Sequence, residues 1–311
     1  ENPTGDGTVP TAIDAPPRSG YFDIGADSIP NLNPAVAYNS RHGEFLVVWE
    51  EHIHGNRVAI YGRRVGLGGR TIGPAFPIAD ADMNQYSLPD VAYSPVEDHY
   101  LVTWVRKHSA TDYDVWATPV RWDGVPGFPI AIDTDTDQDW YPAVAHNGRD
   151  NEFLVVYEKL IGDTRRDIEA QRVRASNWSL ASWRNLAGGA NQIRRWPDVA
   201  YNLARNEYLV SYVYQAPPLP PVAGDIVALR SSSNMGWLSG EFYITTTGYP
   251  PQGGSSLAAG PNEFLATWDE EHGSNQDSVW ARRLAGDGNP LLPYINIAHI
   301  TDRHHFESAV A

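Results

Sequence analysis

The sequence predicts an all-β protein built from repeated four-stranded units, and three observations support this prediction. A phrase that begins at Asn33, "NPAVAYNSRHGEFLVVWEEH", recurs in modified form along the chain. The 24 prolines and 27 glycines lie between short runs of β-branched and aromatic residues, a pattern typical of short strands joined by turns. No window shows sustained helical periodicity, which excludes long helices.

The repeated phrase is aligned by its proline, which stands at Pro34, Pro89, Pro142 and Pro197. A degenerate copy begins at Ser255, and the fragment "ESAVA" ends the chain. A fixed period of about 55 residues indicates an array of similar structural units.

Each unit contains four strand-like runs in the same order. In the first unit they are "AVAY", "EFLVVWE", "VAIYGRRV" and "GPAFPIA", separated by polar or glycine-bearing turns. Four antiparallel strands in a unit of this length form the blade of a β-propeller, which buries its faces against neighbouring blades. We therefore expect one β-propeller domain over residues 1–311. A solenoid is the structural alternative, but its repeats are usually shorter and have fewer strands.

The predicted ring has six blades. Five complete units are expected at residues 34–87, 88–140, 141–195, 196–253 and 254–304. Residues 305–311 and 1–33 are expected to close a sixth blade, because joining the two termini removes the open edge of the ring. These two segments are one strand short of a full unit, so an incomplete or truncated last blade is expected, and a five-bladed ring is the alternative.

Composition limits the classes of partner. The formal net charge of −15 argues against binding to nucleic acid or to an anionic membrane surface. The absence of cysteine excludes disulfides and thiolate sites, and no apolar run reaches the roughly 20 residues that a membrane-spanning helix needs. Because the chain begins with Glu1 rather than Met, we expect a processed, secreted protein. A trimmed boundary would look the same.

Residues 194–208 show the unit most clearly, with Arg195, Pro197, Ala200 and Glu207 in the pattern "R-x-P-x-x-A … E-x-L". This pattern resembles the blade of sialidase-like six-bladed propellers and, more closely, secreted bacterial surface repeats. The resemblance implies that the first strand of each blade lies nearest the central channel. The Asp box of sialidases, S-x-D-x-G-x-T-W, does not occur in the sequence. The arginine triad and the Tyr/Glu pair of sialidases cannot be placed by motif, so the resemblance implies no catalytic residue.

Four aspartates alternate in the stretch "DTDTDQDW", namely Asp133, Asp135, Asp137 and Asp139. Alternate carboxylates in a loop could converge as oxygen ligands for Ca²⁺. The glycine and the distal glutamate of an EF-hand loop are missing, and a solvated acidic loop is the alternative. The hypothesis at this stage is a Ca²⁺ site.

Aromatic residues stand where the first strand of several units begins, namely at Tyr86, Trp140, Tyr141, Trp196 and Phe306. Together with Arg195 they could stack on sugar rings and bind hydroxyl groups, or they could simply pack between blades. Carboxylates follow the second strand at Glu50, Glu51, Glu158, Asp269, Glu270 and Glu271, and a solvated strand end is the alternative reading of this position. Two such groups at a suitable separation could hydrolyse a glycosidic bond.

The leading hypothesis is a secreted, non-enzymatic propeller that binds a carbohydrate or another cell-surface component, such as a surface protein, through loops at one rim. The first alternative is a glycoside hydrolase or lyase that uses carboxylates at the channel mouth. The second alternative is a scaffold subunit whose protein partner adds a strand to the incomplete blade at residues 305–311.

Overall fold

The computed structural model of the 311-residue chain describes residues 23–25, 30–53, 57–80, 85–162, 165–190, 192–215, 224–245, 252–271, 277–291, 293–300 and 310. Within these ranges the chain forms twenty strands and no helix. None of the segments just described could therefore span a membrane as a helix. The predictions of an all-β fold and of repeated four-stranded units are confirmed.

The strands form five blades. Blade 1 contains β1 (Asn31–Asn39), β2 (Glu44–Ile53), β3 (Arg57–Gly66) and β4 (Thr71–Ala79). Blade 2 contains β5 (Gln85–Ser94), β6 (His99–Lys107), β7 (Tyr113–Arg121) and β8 (Ile130–Asp133). Blade 3 contains β9 (Gln138–Asn147), β10 (Glu152–Ile161), β11 (Arg165–Arg174) and β12 (Leu180–Ala187). Blade 4 contains β13 (Ile193–Asn202), β14 (Glu207–Gln215), β15 (Asp225–Ser232) and β16 (Phe242–Tyr243). Blade 5 contains β17 (Gln252–Ala259), β18 (Glu263–Glu271), β19 (Asp277–Ala285) and β20 (Ile295–Ile300).

Each blade is an antiparallel meander in which every strand pairs with the next strand along the chain. The first strands of successive blades pack side by side in the order β1, β5, β9, β13 and β17. Four of them place alanines on a central cavity of about 710 Å³, namely Ala92, Ala145, Ala200 and Ala258. The first strands therefore surround a central channel, which is the arrangement of a β-propeller.

Strand β10 shows why the blades need one another. Phe153 and Val155 point towards blade 2 and belong to one apolar cluster, whereas Leu154 and Val156 point towards blade 4 and belong to another. All four side chains are fully buried. A strand that is covered on both faces has a continuous run of apolar residues in its sequence. This explains the apolar run in the repeated segment "EFLVVYE".

An ion pair recurs at the end of the blade where the second strand begins. It joins a glutamate of the second strand to an arginine of the third, as in Glu44–Arg64, Glu152–Arg172, Glu207–Arg230 and Glu263–Arg283. The pair joins the start of the second strand to the end of the third strand. It lies at the end of the disc opposite the site described below.

Two observations bear on a sixth blade. The amides of Val144 and Leu257 each bind a side chain of the preceding blade, Asp90 and Asp198, and the Val310 amide binds Ser256 of blade 5 in the same way. Val36 of blade 1 is 46% exposed, whereas its equivalents in blades 2–5 are buried. Both facts fit a further inner strand between blades 5 and 1.

Most of the segments expected to form that blade, residues 1–22, 26–29, 305–309 and 311, lie outside the described residues. Six blades and a protein partner at residues 305–311 therefore stay predictions.

Candidate active site

The first strand of each blade carries a bulge close to where it begins. The pairing of β1 with β2 shifts between Leu32 and Ala35, and the other four first strands shift at the corresponding position. A bulge increases the local twist and redirects side chains, and bulges are over-represented next to active sites. These five bulges surround one end of the channel, which we call the channel mouth.

The bulges of blades 1 to 4 hold a non-glycine residue in the left-handed region. The φ angles are 49° at Asn33, 54° at Leu88, 52° at Tyr141 and 54° at Trp196. This conformation costs a residue with a side chain about 1–2 kcal/mol, and such strain is concentrated at functional sites. The repeated strain therefore marks the channel mouth as the place to look for function.

Buried carboxylates hold two of these bulges. The Glu50 carboxylate accepts hydrogen bonds from the Leu88 amide (2.6 Å) and from Asn33 Nδ2 (2.5 Å). The Glu158 carboxylate accepts one from the Trp196 amide (3.3 Å) and pairs with Arg166. Each carboxylate therefore reaches from its own blade to the bulge of the following blade.

The carboxylates alternate around the ring. Blades 1, 3 and 5 have Glu50, Glu158 and Asp269 directly after the buried aromatic residue of the second strand, and all three are less than 9% exposed. Blades 2 and 4 have the buried residues Val105 and Val213 at this position. Along the five described blades, buried acids at this position therefore alternate with valines.

Two of the predicted ligand-binding aromatics meet at the mouth. Tyr141 and Trp196 pack edge to face with ring centroids 6.2 Å apart, and Tyr141 is 36% exposed. Burial and, next in size, the positive charge of Arg195 lower the pKa of Arg166. The guanidinium groups of Arg195 and Arg166 therefore lie near each other. Side chains that can stack on a sugar ring or bind its hydroxyl groups therefore lie next to Glu158.

The other predicted aromatics have different surroundings. Tyr86 is buried between blades 1 and 2, where it packs edge to face on Trp104. Trp140 lies beside Tyr141, with ring centroids 6.4 Å apart, and packs at a tilt on Tyr113, with ring centroids 3.8 Å apart. Phe306 lies outside the described residues.

Three of the four predicted metal ligands come together. Oxygens of Asp133, Asp135 and Asp139 lie within 4.8 Å of one another and could hold a metal ion. Asp137 is not in this group and instead donates its amide to Asp135 (2.9 Å). Burial and the charge of Asp133 raise the pKa of Asp139 to about 8.

The cluster already contains a cation. Lys159 Nζ lies 3.1 Å from Asp133, 2.6 Å from Asp135 and 3.3 Å from Asp139. The carboxylates are of the kind that Ca²⁺ prefers, but a Ca²⁺ ion would have to displace the ammonium group.

The cavity inside the channel offers less chemistry than the mouth. It is lined mainly by alanines and tyrosines, together with His146 and the ion-paired side chains of Glu263 and Arg283. Burial lowers the pKa of His146 to about 4, so that the imidazole is neutral at pH 7. The mouth is therefore the better candidate for an active site.

The chain is similar to several solved structures. An α-L-arabinofuranosidase of Fusarium graminearum has a TM-score of 0.62 at 14% identity, over 86% of this chain and 80% of that one. An α-L-arabinanase of Penicillium chrysogenum, complexed with arabinobiose, has a TM-score of 0.62 at 14% identity, over 90% and 84%. An N-acetylgalactosamine deacetylase of F. plautii has a TM-score of 0.55 at 12% identity, over 91% and 89%.

No family model and no curated protein matches the chain. At identities of this size the likeness shows the fold alone, and it confirms the β-propeller. The resemblance to sialidase-like blades is confirmed only at that level.

The prediction of a non-enzymatic binding protein is wrong. Six of the similar solved structures are named as arabinanases or arabinofuranosidases, and these are enzymes that cleave glycosidic bonds. The finding favours the alternative, a glycoside hydrolase with carboxylates at the channel mouth. The sequence left open whether the acids after the second strand were solvated, and in the structure three of them, Glu50, Glu158 and Asp269, are buried.

Proposed function

We propose that the protein is a glycoside hydrolase whose saccharide substrate binds at the channel mouth. The observation that carries the proposal is the set of buried acids, Glu50, Glu158 and Asp269, in alternate blades around the strained bulges. The similarity in fold to an arabinofuranosidase and an arabinanase supports it. Arabinose-containing saccharides are therefore the first substrates to test.

The reaction needs two carboxyl groups. One, in its acid form, gives a proton to the glycosidic oxygen while the bond from that oxygen to the anomeric carbon breaks. The other, as a carboxylate, either takes a proton from the attacking water or attacks the anomeric carbon itself. Hydrogen bonds to a carboxylate favour its charged form, so the second role suits Glu158, which binds Arg166 and the Trp196 amide.

The neighbouring side chains would position the sugar. Tyr141 and Trp196 offer aromatic surfaces for the C–H face of a ring, and Arg195 offers donors for ring hydroxyl groups. Both aromatics stand on strained backbone, and Glu158 helps to hold the backbone of Trp196. Removing this carboxylate should therefore affect both catalysis and the position of Trp196.

The test is hydrolysis of 4-nitrophenyl α-L-arabinofuranoside and of linear arabinan, within a wider panel of aryl glycosides and polysaccharides. Loss of an acid–base group lowers turnover by about 10²–10⁴-fold, and this is the loss expected for Glu158→Gln. Glu152→Gln is the matched control, because Glu152 is a similarly buried carboxylate at the opposite end of strand β10. We expect it to retain activity.

Two outcomes would contradict the proposal. One is a folded Glu158→Gln protein that is as active as the wild type. The other is no hydrolysis of any member of the panel by the wild-type protein.

The proposal also includes the finer expectations of a Ca²⁺ ion and of secretion. The convergence of Asp133, Asp135 and Asp139 supports a cation site, while Lys159 stands against its occupation by Ca²⁺ in the wild-type protein. A polymeric saccharide substrate fits an enzyme that acts outside the cell. Hydrolysis with and without EDTA tests the first expectation, and the fraction of activity in the culture medium of the source cells tests the second.

A further inference from the structure

A second cavity, of about 480 Å³, lies in the cleft between blades 3 and 4. The residues that end β12 form one wall, among them Leu186 and Gly188, and the segment that precedes β16 forms the other, with Trp237 and Glu241. Because β12 and β16 are the outer strands of their blades, we call this cavity the rim pocket. It is separate from the channel mouth.

A buried arginine lines the rim pocket. Arg194 is 2% exposed; its Nε donates to Glu241 Oε1 (2.8 Å) and its Nη2 to Gln192 (2.7 Å). Its Nη1 is buried and has no hydrogen-bond partner among the described residues. A buried donor without a partner is costly, and this donor belongs to a side chain that faces a cavity.

Glu241 supplies an acceptor beside this donor. Tyr212 donates its hydroxyl to Glu241 Oε1 (2.7 Å), the oxygen that also accepts from Arg194. Both bonds end on the same oxygen, and the side chain is 37% exposed. The carboxylate can therefore accept a further hydrogen bond from a ligand.

The aromatic wall is exposed but held in place. Trp237 is 59% exposed, although its Nε1 donates to the Leu186 carbonyl (3.0 Å) and the Arg184 guanidinium stacks over its ring at 4.2 Å. A large aromatic that is fixed by two contacts and still open to solvent offers a preformed apolar surface.

The cleft between blades 2 and 3 shows the equivalent position occupied by a carboxylate. Between blades 2 and 3, Asp133 accepts the hydroxyl of Tyr157 (2.9 Å), which is the repeat equivalent of Tyr212. The equivalent of Asp133 between blades 3 and 4 is Ala187. At this position blade 3 therefore offers only a methyl group, where blade 2 offers a carboxylate.

We propose that the rim pocket binds one neutral sugar ring. Arg194 and Glu241 form an ion pair with each other, so that neither charge needs a charged ligand. Their adjacent donor and acceptor match two neighbouring hydroxyl groups, one of which accepts and one of which donates. The C–H face of the ring packs on Trp237.

The experiment is a titration of the full chain with L-arabinose, D-galactose, D-xylose and D-glucose, followed by amide NMR shifts of Ser239 and Gly240, which line the pocket. Monosaccharides contain no glycosidic bond between sugars, so the result does not depend on hydrolysis at the mouth. We expect at least one of them to shift both amides. Trp237→Ala should weaken this binding by about tenfold or more, the equivalent of 1.4 kcal/mol.

Two further variants serve as comparisons. Trp183→Ala removes the other exposed tryptophan of this region, 53% exposed on β12, and should leave the affinity unchanged. Ala187→Asp introduces the carboxylate of the cleft between blades 2 and 3 and should abolish binding. The proposal is overturned if none of the four sugars shifts the two amides, or if Trp237→Ala binds as tightly as the wild type. It is also overturned if Trp183→Ala weakens binding as much as Trp237→Ala does.

Discussion

Lys159 can be removed to ask whether a protein ammonium group takes the place of a metal ion. Its side chain is 8% exposed and its Nζ lies within 3.3 Å of Asp133, Asp135 and Asp139. Lys159→Met keeps most of the aliphatic stem and removes the charge. Three carboxylates are then left without their cation.

The expected loss of stability follows from burial. Removing one partner of a buried ion pair costs about 3–5 kcal/mol, but Asp135 is 51% exposed and such an exposed partner contributes less than about 1 kcal/mol. The pKa of Asp139 is raised to about 8, so this carboxyl keeps its proton at pH 7. We therefore expect a loss at the low end of this range, about 3 kcal/mol in the free energy of unfolding.

The change in melting temperature can be estimated in the same way. An unfolding entropy of about 2.1 cal/mol/K per residue gives a shift of about 1.5 °C per kcal/mol for a chain of 311 residues. Lys159→Met should therefore lower the melting temperature by about 5 °C. Differential scanning calorimetry measures this shift.

Calcium supplies the second half of the test. Without the ammonium group the three carboxylates should bind Ca²⁺. At a Ca²⁺ concentration of about 100 times the dissociation constant, binding raises the free energy of unfolding by about 2.7 kcal/mol. Lys159→Met should thus regain about 4 °C in Ca²⁺, while the melting temperature of the wild type should not change. The reasoning is refuted if Ca²⁺ stabilises the wild type as much as the variant, or if the variant loses no stability.

Three further predictions concern the channel. Burial and the charge of Asp90 raise the pKa of Asp198 to about 7, so the folded protein holds a proton that the unfolded chain releases near pH 4. Stability should therefore fall between about pH 4 and pH 7, and Asp198→Asn should reduce this slope by up to about 1.4 kcal/mol per pH unit in urea unfolding. Val144→Ala should lower the free energy of unfolding by about 2 kcal/mol. Val36→Ala should lower it by as much if a sixth blade covers Val36, and a variant that loses no stability would contradict that closure. Tyr141→Ala should raise KM for a hydrolysed arabinoside more than it lowers kcat, because a stacking residue binds substrate and transition state alike, and an unchanged KM would remove Tyr141 from the site.

Part of the site was visible in the sequence. The acids after the second strand, Glu50, Glu158 and Asp269, stand at one repeat position and can be found by alignment. Their alternation with Val105 and Val213 is also visible, although nothing local tells a catalytic acid from a solvated strand end. The depth of their burial, and the bonds of Glu50 and Glu158 to the following blade, come only from stacking.

Other residues carried no readable signal. Arg194 occupies a position where the other blades have unrelated residue types, and the position of Lys159 is acidic, basic or aromatic in the other blades, so the repeat gives no expectation for either. Tyr86 was grouped with the mouth aromatics because it begins a first strand, but the bulge two residues later turns its side chain into the core. A shift of one residue in register moves a side chain to the other face of a sheet.

The sequence by itself determined the fold class and the repetition of four-stranded units. Strand propensity, turn residues and a fixed period are properties of short segments, and their repetition along the chain adds up to a propeller. Only the tertiary structure decided which side chains meet. Asp133 reaches Lys159, and Glu158 reaches Trp196, across the boundary between two blades, and such contacts depend on the stacking and twist of whole sheets rather than on local sequence.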